Sequence, residues 1–233
     1  NRYQKARIGS GRLLELTRNE QSFTFKNMPG NCRPSVFRQF SAPVRLVTDF
    51  SSQDLAFLMA RDTDDFSQWD AAQTLFIQEI KTLVQAVQTK KPLALSSTLE
   101  TAFLTALTNP EQDKAFLAKM LTLPLETELK DHFKSIDVEA IHQARRFLEK
   151  ALAVALEGPL TERFDQCKDM DPADISHDAM AGRALKNLCL GYLGRIQDPE
   201  AEQRVSGCFE SARTMTEELA ALKLLADMGP DLR

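Results

Sequence analysis

Two different hydrophobic rhythms divide this chain. Through the first fifty residues, apolar and polar positions alternate at period two: Leu14, Glu15, Leu16 and Thr17, then Phe23, Thr24, Phe25 and Lys26, with Arg18 to Gln21 between them. That alternation predicts a β-hairpin, because successive strand side chains point to opposite faces. Asn27, Met28, Pro29, Gly30 and Asn31 then predict a turn, and Pro43 to Val47 a third strand with Val44 and Leu46 on one face. Three short strands cannot cover both faces of a sheet, so a partner layer is required.

From Ser51 onward the spacing is three and four, the spacing of a helix face. Ser51 with Asp54 has the form of a capping box before a short helix through Leu55, Leu58 and Met59. A long helix follows to about Thr89, with Phe66, Trp69, Ala72, Phe76, Ile80, Leu83, Val84 and Val87 on one stripe. Trp69, the single tryptophan, is expected in the core. Ser97 with Glu100 predicts a second capping box, and Asn109, Pro110 and Glu111 a cap and first-turn proline for a helix through Met120. A short helix is predicted over 124–133. Asp137 caps a longer one that Gly158 and Pro159 stop, and Leu160 to Cys167 adds a turn or two. Residues 169–172 read as a polar loop, 174–193 as a helix, Asp198 and Pro199 as the start of its partner, and Thr214 with Glu217 as a third capping box.

Nine or ten helices joined by short loops pack as antiparallel neighbours. Pairs recurring about every forty residues predict a superhelical stack, HEAT/armadillo-like in architecture though without a fixed-period residue signature. The fold class expected is mostly α: an α-helical superhelix preceded by a small partial β-sandwich, with the sandwich over 1–47 and the helices over 48–233.

Composition narrows the function classes. Of 233 residues 43% are hydrophobic, enough for a core, and the net charge of −4 from 29 basic and 33 acidic residues argues against a nucleic-acid surface. No run of eighteen apolar residues exists, so no membrane span is expected, and the polar, basic opening carries no signal peptide. Cys32, Cys167, Cys189 and Cys208 show no Cys-x-x-Cys spacing, which disfavours a zinc ribbon and fits a reducing, cytoplasmic setting. An opening on Asn1 rather than Met fits a piece cut from a longer polypeptide.

Candidate chemistry is sparse. A zincin needs His-Glu-x-x-His, and none of His132, His142 and His177 has a second histidine four residues away. His132 and His142 read as solvent-facing helix residues. Gly9, Ser10 and Gly11 lack the Gly-Lys-Ser/Thr ending of a phosphate loop, and Val205, Ser206 and Gly207 lack the first glycine of a nucleophile elbow. Asp62, Asp64, Asp65 and Asp70 invite a calcium reading, but position 73 is Gln73 where a calcium loop needs glutamate, so helix-start acids account for them better. No catalytic residue and no metal ligand is assigned, and substrate-binding residues are unknown.

Two stretches carry a resemblance. Gln39, Phe40, Ser41, Ala42, Pro43, Val44, Arg45 and Leu46, followed by Asp65, Phe66, Ser67, Gln68, Trp69, Asp70, Ala71, Ala72 and Gln73, resemble the junction between the small β-sandwich and the C-terminal helical domain of bacterial aminopeptidase N. Met215 and Thr216 add minor support, and Arg204 to Glu210 departs from the family pattern. That family consists of gluzincin zinc metallopeptidases, so the resemblance implies an internal fragment whose parent removes N-terminal residues from peptides. It further implies that zinc and the catalytic machinery belong to a domain N-terminal to Asn1, that the helical domain walls the active-site chamber, and that this chain alone is inactive. Peptide substrates and the missing catalytic domain are then the partners, with neither nucleic acid nor membrane among them. The competing expectation is a free-standing helical-repeat scaffold that binds protein without enzymatic activity. Such a scaffold should carry polar capping helices at both ends.

Overall fold

A computed structural model of the chain describes residues 7–8, 11–28, 30, 32–44, 46–168, 171 and 173–228. The chain divides into two units, Asn1–Pro34 and Ser35–Arg233. In the first, β1 (Arg7–Ile8) pairs antiparallel with β2 (Gly11–Arg12), Arg7 facing Arg12 and Ile8 facing Gly11. The expected strands at 14–17 and 23–26 do not form ladders, and neither do the described residues of 43–47. Leu14 is 42% and Leu16 66% exposed, so the alternating face lies uncovered. A strand at period two is stabilised only when a second strand pairs its edge and a layer covers its apolar face. The described residues supply neither.

The second unit is helical: α1 (Ser52–Arg61), α2 (Asp65–Gln88), α3 (Ser97–Leu107), α4 (Lys114–Met120), α5 (Glu126–Leu129), α6 (Val138–Ala155), α7 (Glu157–Gln166), α8 (His177–Leu193), α9 (Pro199–Glu210) and α10 (Met215–Asp227). The fold is thus mostly α, as the period of three and four implies. Local chemistry fixes many of the boundaries. Ser51 and Asp54 form the capping box before α1, Asp137 caps α6 through the Ala140 amide at 3.1 Å, Asp198 caps α9 with Pro199 in its first turn, and Thr214 caps α10.

Other boundaries depend on distant partners. The cap of α3 is Ser96, not Ser97: its backbone N–H and hydroxyl donate to Glu79 of α2, both at 2.9 Å, while its Oγ accepts from Leu99 N. Glu79 therefore supplies from another helix the carboxylate that Glu100 was expected to supply locally. Asp113, rather than Asn109, caps α4, and Asn109 Oδ1 instead accepts from Glu111 N at 3.1 Å to make a tight turn. The break between α6 and α7 comes at Leu156, and Gly158 and Pro159 sit inside the first turn of α7. Proline is tolerated there because a first-turn N–H has no intrahelical acceptor. The α8 helix begins three residues later than expected, at His177, with Ser176 as its N-cap. Of the expected polar loop at 169–172, only Asp171 lies among the described residues.

The core runs through α2 and α8. Ala72, Phe76, Ile80, Leu83 and Val84 of α2 are buried, but Phe66, Trp69 and Val87 at the two ends of the stripe are only half-buried. The stripe is continuous as expected, yet Trp69 packs at the margin of the core because its turn faces the segment leading into α1. Phe76 lies 6.3 Å from the Phe103 ring of α3, and Phe103 meets Tyr192 of α8 edge-on at 5.3 Å. The Tyr192 hydroxyl donates to the Leu121 carbonyl at 2.7 Å, closing the chain of contacts onto the end of α4.

Removing the Phe76 ring empties fully enclosed space, whereas the Trp69 site is partly open to solvent. Phe76→Ala should therefore cost about 3–5 kcal/mol in urea denaturation, and Trp69→Ala less, about 1–3 kcal/mol. Equal losses would place Trp69 in the core.

Candidate functional site

The groups capable of chemistry are dispersed. His142 Nδ1 lies 2.8 Å from Glu126 Oε1, tying α6 to α5, and His177 Nε2 lies 3.0 Å from Asp113 Oδ2, tying α8 to the cap of α4. His132 ends the 3-10 turn Lys130–His132. Among the described residues no three His, Cys, Asp or Glu side chains gather as a metal site would require. Burial pushes the Cys189 thiol up to about 12 and raises those of Cys167 and Cys208, which holds all three as protonated thiols at neutral pH. Val205, Ser206 and Gly207 are interior residues of α9, not a strand-to-helix elbow. Of the glycine-rich stretch, Gly9 and Ser10 lie outside the described residues.

The polar residues that do converge lie where residues 35–50 meet the start of α2. Asp62 closes α1 and Asp64 opens α2, leaving one residue between two carboxylates. Asp64 Oδ2 accepts from the Ser67 amide at 3.0 Å and the Ser67 hydroxyl at 2.9 Å, the N-cap that starts the long helix. Its other oxygen accepts the Gln39 backbone N–H at 2.9 Å. Asp62 Oδ1 accepts from Arg38 Nη1 at 2.6 Å and from the Asp64 amide at 3.0 Å, while Arg38 Nη2 donates to Thr63 at 2.7 Å. The two aspartates that invited a calcium reading thus serve as the socket for Arg38 and for the Gln39 amide.

The docked segment pays a conformational cost. Phe37, Gln39 and Phe40 adopt φ of 55°, 57° and 52°. Left-handed backbone costs a non-glycine residue about 1–2 kcal/mol. Contacts offset it at two of the three: the Gln39 amide bonds to Asp64, and the Phe40 ring packs 5.0 Å from Phe66, which in turn lies 6.2 Å from Trp69. The two stretches on which the family resemblance rests are therefore in contact, Phe40 of the first on Phe66 of the second. Arg38, the residue that anchors them, carries no sequence signal of its own. Its partner lies 24 residues away, beyond the reach of any local pattern.

Asp70, one turn into α2, differs from these capped acids. Burial raises its carboxyl above the usual aspartate value of 3.8.

The profile of a family described as a domain of unknown function (DUF3458_C) with ARM repeats matches residues 52–233. The chain belongs to this family. A second profile, DUF3458 with an Ig-like fold, matches residues 2–49, so the β-sandwich class anticipated for the first part is that of the family even though its expected strands are unpaired here. The DUF3458_C chain is 37% identical over 210 residues to aminopeptidase N of Escherichia coli, covering 90% of this chain and 24% of that protein. It is 32% identical over 212 residues to aminopeptidase N of Haemophilus influenzae, covering 91% of this chain and 24% of that protein. Among solved structures, aminopeptidase A of Legionella pneumophila in complex with aspartic acid superposes with a TM-score of 0.70 at 27% identity, over 84% of this chain and 23% of that one. The DUF3458_C chain is homologous to the C-terminal region of bacterial aminopeptidase N and spans about a quarter of the length of these relatives.

Asp64→Ala removes the α2 cap and the acceptor of the Gln39 amide together. It should cost about 1–2 kcal/mol in denaturant unfolding, as a lost N-cap does; no loss would mean that the docked segment leaves α2 unaffected. Asp70→Asn acts in the opposite sense. An acid whose folded pKa is raised weakens the fold above that pKa, and the penalty disappears as pH falls below 3.8. The variant should melt higher than the parent at pH 7, with the difference vanishing below pH 3.8. A lower melting temperature at pH 7 would show that Asp70 is stabilising.

Proposed function

We propose that this chain is a non-catalytic part of a zinc-dependent aminopeptidase, comprising the end of its β-sandwich over 1–47 and the first part of its helical domain over 48–233. The observation that carries the reading is the identity of 37% to E. coli aminopeptidase N over 90% of this chain. The parent enzyme removes N-terminal residues from peptides in the cytoplasm, with zinc and the peptide-cleaving groups on a domain N-terminal to this one. The helical domain walls the active-site chamber and limits entry to chains that fit. Its rigidity suits that role: α2 and α8 tie their neighbours by both apolar packing and side-chain caps, so the wall holds its position when a substrate presses on it. The Arg38–Asp62 and Gln39–Asp64 contacts seat the connecting segment on the helices.

The fragment reading is favoured over the free-standing scaffold by α10. Met215 is 81%, Leu219 43% and Leu222 48% exposed, at helical spacing, while Ala221, Leu224 and Leu225 are buried on the inner side. Apolar residues on two sides are the composition of an interior helix of a stack, whereas a terminal helix is polar outward.

The purified chain with added zinc should leave an alanyl chromogenic substrate unhydrolysed, and the reading frame upstream of Asn1 should encode His-Glu-x-x-His. Hydrolysis by the chain alone, or a start codon upstream without that motif, would sink the proposal.

A further inference from the structure

Residues 35–44 lie against the start of α2 without joining the core. None of them is buried, and Phe40 and Val44 are 54% and 51% exposed. Only the 3-10 turn Arg38–Phe40 gives the segment regular structure. Its directed contacts with the helices are those of Arg38 with Asp62 and Thr63, of the Gln39 amide with Asp64, and of the Phe40 ring with Phe66. The helices are held in another way, by a continuous apolar core to which α1 and α2 give Leu55, Leu58, Met59, Leu75 and Phe76.

The contacts of the segment can break without undoing a helix. Asp64 starts α2 with Oδ2, which accepts from the Ser67 amide and hydroxyl, and meets the segment with Oδ1. Asp62 Oδ1 also accepts the Asp64 amide, a bond within the α1–α2 turn that remains when Arg38 leaves. Phe66 keeps Trp69 beside it when Phe40 withdraws. Departure moreover relieves two costs. Phe37, Gln39 and Phe40 leave the left-handed region. The Asp62 carboxylate, 2% exposed under Arg38 and with no donor on Oδ2, is opened to hydration.

We infer that residues 35–44 form a strap that releases from the start of α2 as a unit while the helices stay folded. Directed polar bonds close the strap, and relief of backbone strain together with hydration of Asp62 opens it. Its open and closed states therefore lie closer in free energy than the folded and unfolded helices do, as in other sub-global openings. The chain leaves the first unit at Pro34 and enters the strap at the next residue. Release thus turns a fixed point of attachment on α2 into a free tether, which makes the strap a joint that can be locked or unlocked.

The strap rests on contacts within this chain and not on the aminopeptidase reading. Native-state amide hydrogen exchange of the unsubstituted chain, followed by NMR, tests it at two amides. Gln39 loses its bond to Asp64 on release, whereas Ile80 is buried in the middle of α2. Gln39 should be protected at least about ten-fold over an unstructured peptide, yet at least about a hundred-fold less than Ile80. Low urea should leave the Gln39 rate unchanged, since a local release exposes little surface. In Arg38→Ala the Gln39 protection should vanish, while Ile80, the far-UV helical signal and the Ser67 amide on the other Asp64 oxygen stay as they were. A smaller gap between Gln39 and Ile80 would mean that segment and helices open together and would overturn the inference. So would an unprotected Gln39 in the unsubstituted chain, which would show the segment undocked, or loss of the helical signal in Arg38→Ala. The first two outcomes need no variant to fold.

Discussion

A stack of helices in contact at their ends must find donors for carbonyls that no longer have an intrahelical partner. In this chain those donors come from neighbouring helices, and the tertiary arrangement depends on them. The Tyr192 hydroxyl of α8 takes the Leu121 carbonyl at the end of α4. Gln73 of α2 donates to the carbonyls of Met120 at 3.2 Å and Thr122 at 3.1 Å. Arg163 of α7 takes Leu107 O at 2.7 Å and Asn109 O at 2.8 Å, and Arg145 of α6 takes Pro124 O at 2.9 Å. Each contact satisfies a polar group and also fixes how far one helix slides along the next, which apolar packing alone leaves loosely set. Full burial pushes the Tyr192 phenol well above its usual range, so the group stays a neutral donor through the physiological range.

Charge does the same work on the outer side. Glu149 of α6 binds Arg145 at 2.9 Å and lies 3.2 Å from Arg195 Nε, and Arg195 reaches Asp227 of α10 at 2.7 Å. Glu149 Oε2 nevertheless receives no well-directed hydrogen bond, so the Arg195 approach is an ion pair by proximity and not a hydrogen bond. With the side chains of Glu149 and Arg195 at 14% and 18% exposure, this relay is shielded enough to hold α6 and α10 in register.

What was legible in the sequence was what the chain decides within four residues. Ser51 with Asp54, Asp137, Asp198 before Pro199 and Thr214 declared their helices because donor and acceptor are one turn apart. Some of the errors fall where the deciding partner is remote, whereas the caps Asp113 and Ser176 are local and were passed over. Glu79 draws the start of α3 back to Ser96 from 17 residues away, and α6 ends at Leu156 although Gly158 and Pro159 look like the stop. The strands at 14–17 and 23–26 failed for a related reason, since alternation states which face wants burial but not whether anything buries it. The same limit governed the sites. Phe66 and Trp69 stood out as aromatic positions, whereas Arg38 acquires its meaning only from Asp62.

The Arg38–Asp62 pair is better understood as a specifier of geometry than as a source of stability. The Asp62 side chain is 2% exposed and Arg38 33%, so the carboxylate has lost its water, yet its Oδ2 receives no donor. Removing a carboxylate from water without satisfying both oxygens consumes most of what the ion pair returns. The segment it holds is moreover strained at Phe37, Gln39 and Phe40. An apolar contact in its place would cost less but would accept several registers. Arg38, reaching both Asp62 and Thr63 while the Gln39 amide meets Asp64, accepts one. Three left-handed residues and an unsatisfied carboxylate oxygen thus sit together beside the start of the longest helix, where directed polar contacts rather than apolar burial fix the entry of the segment.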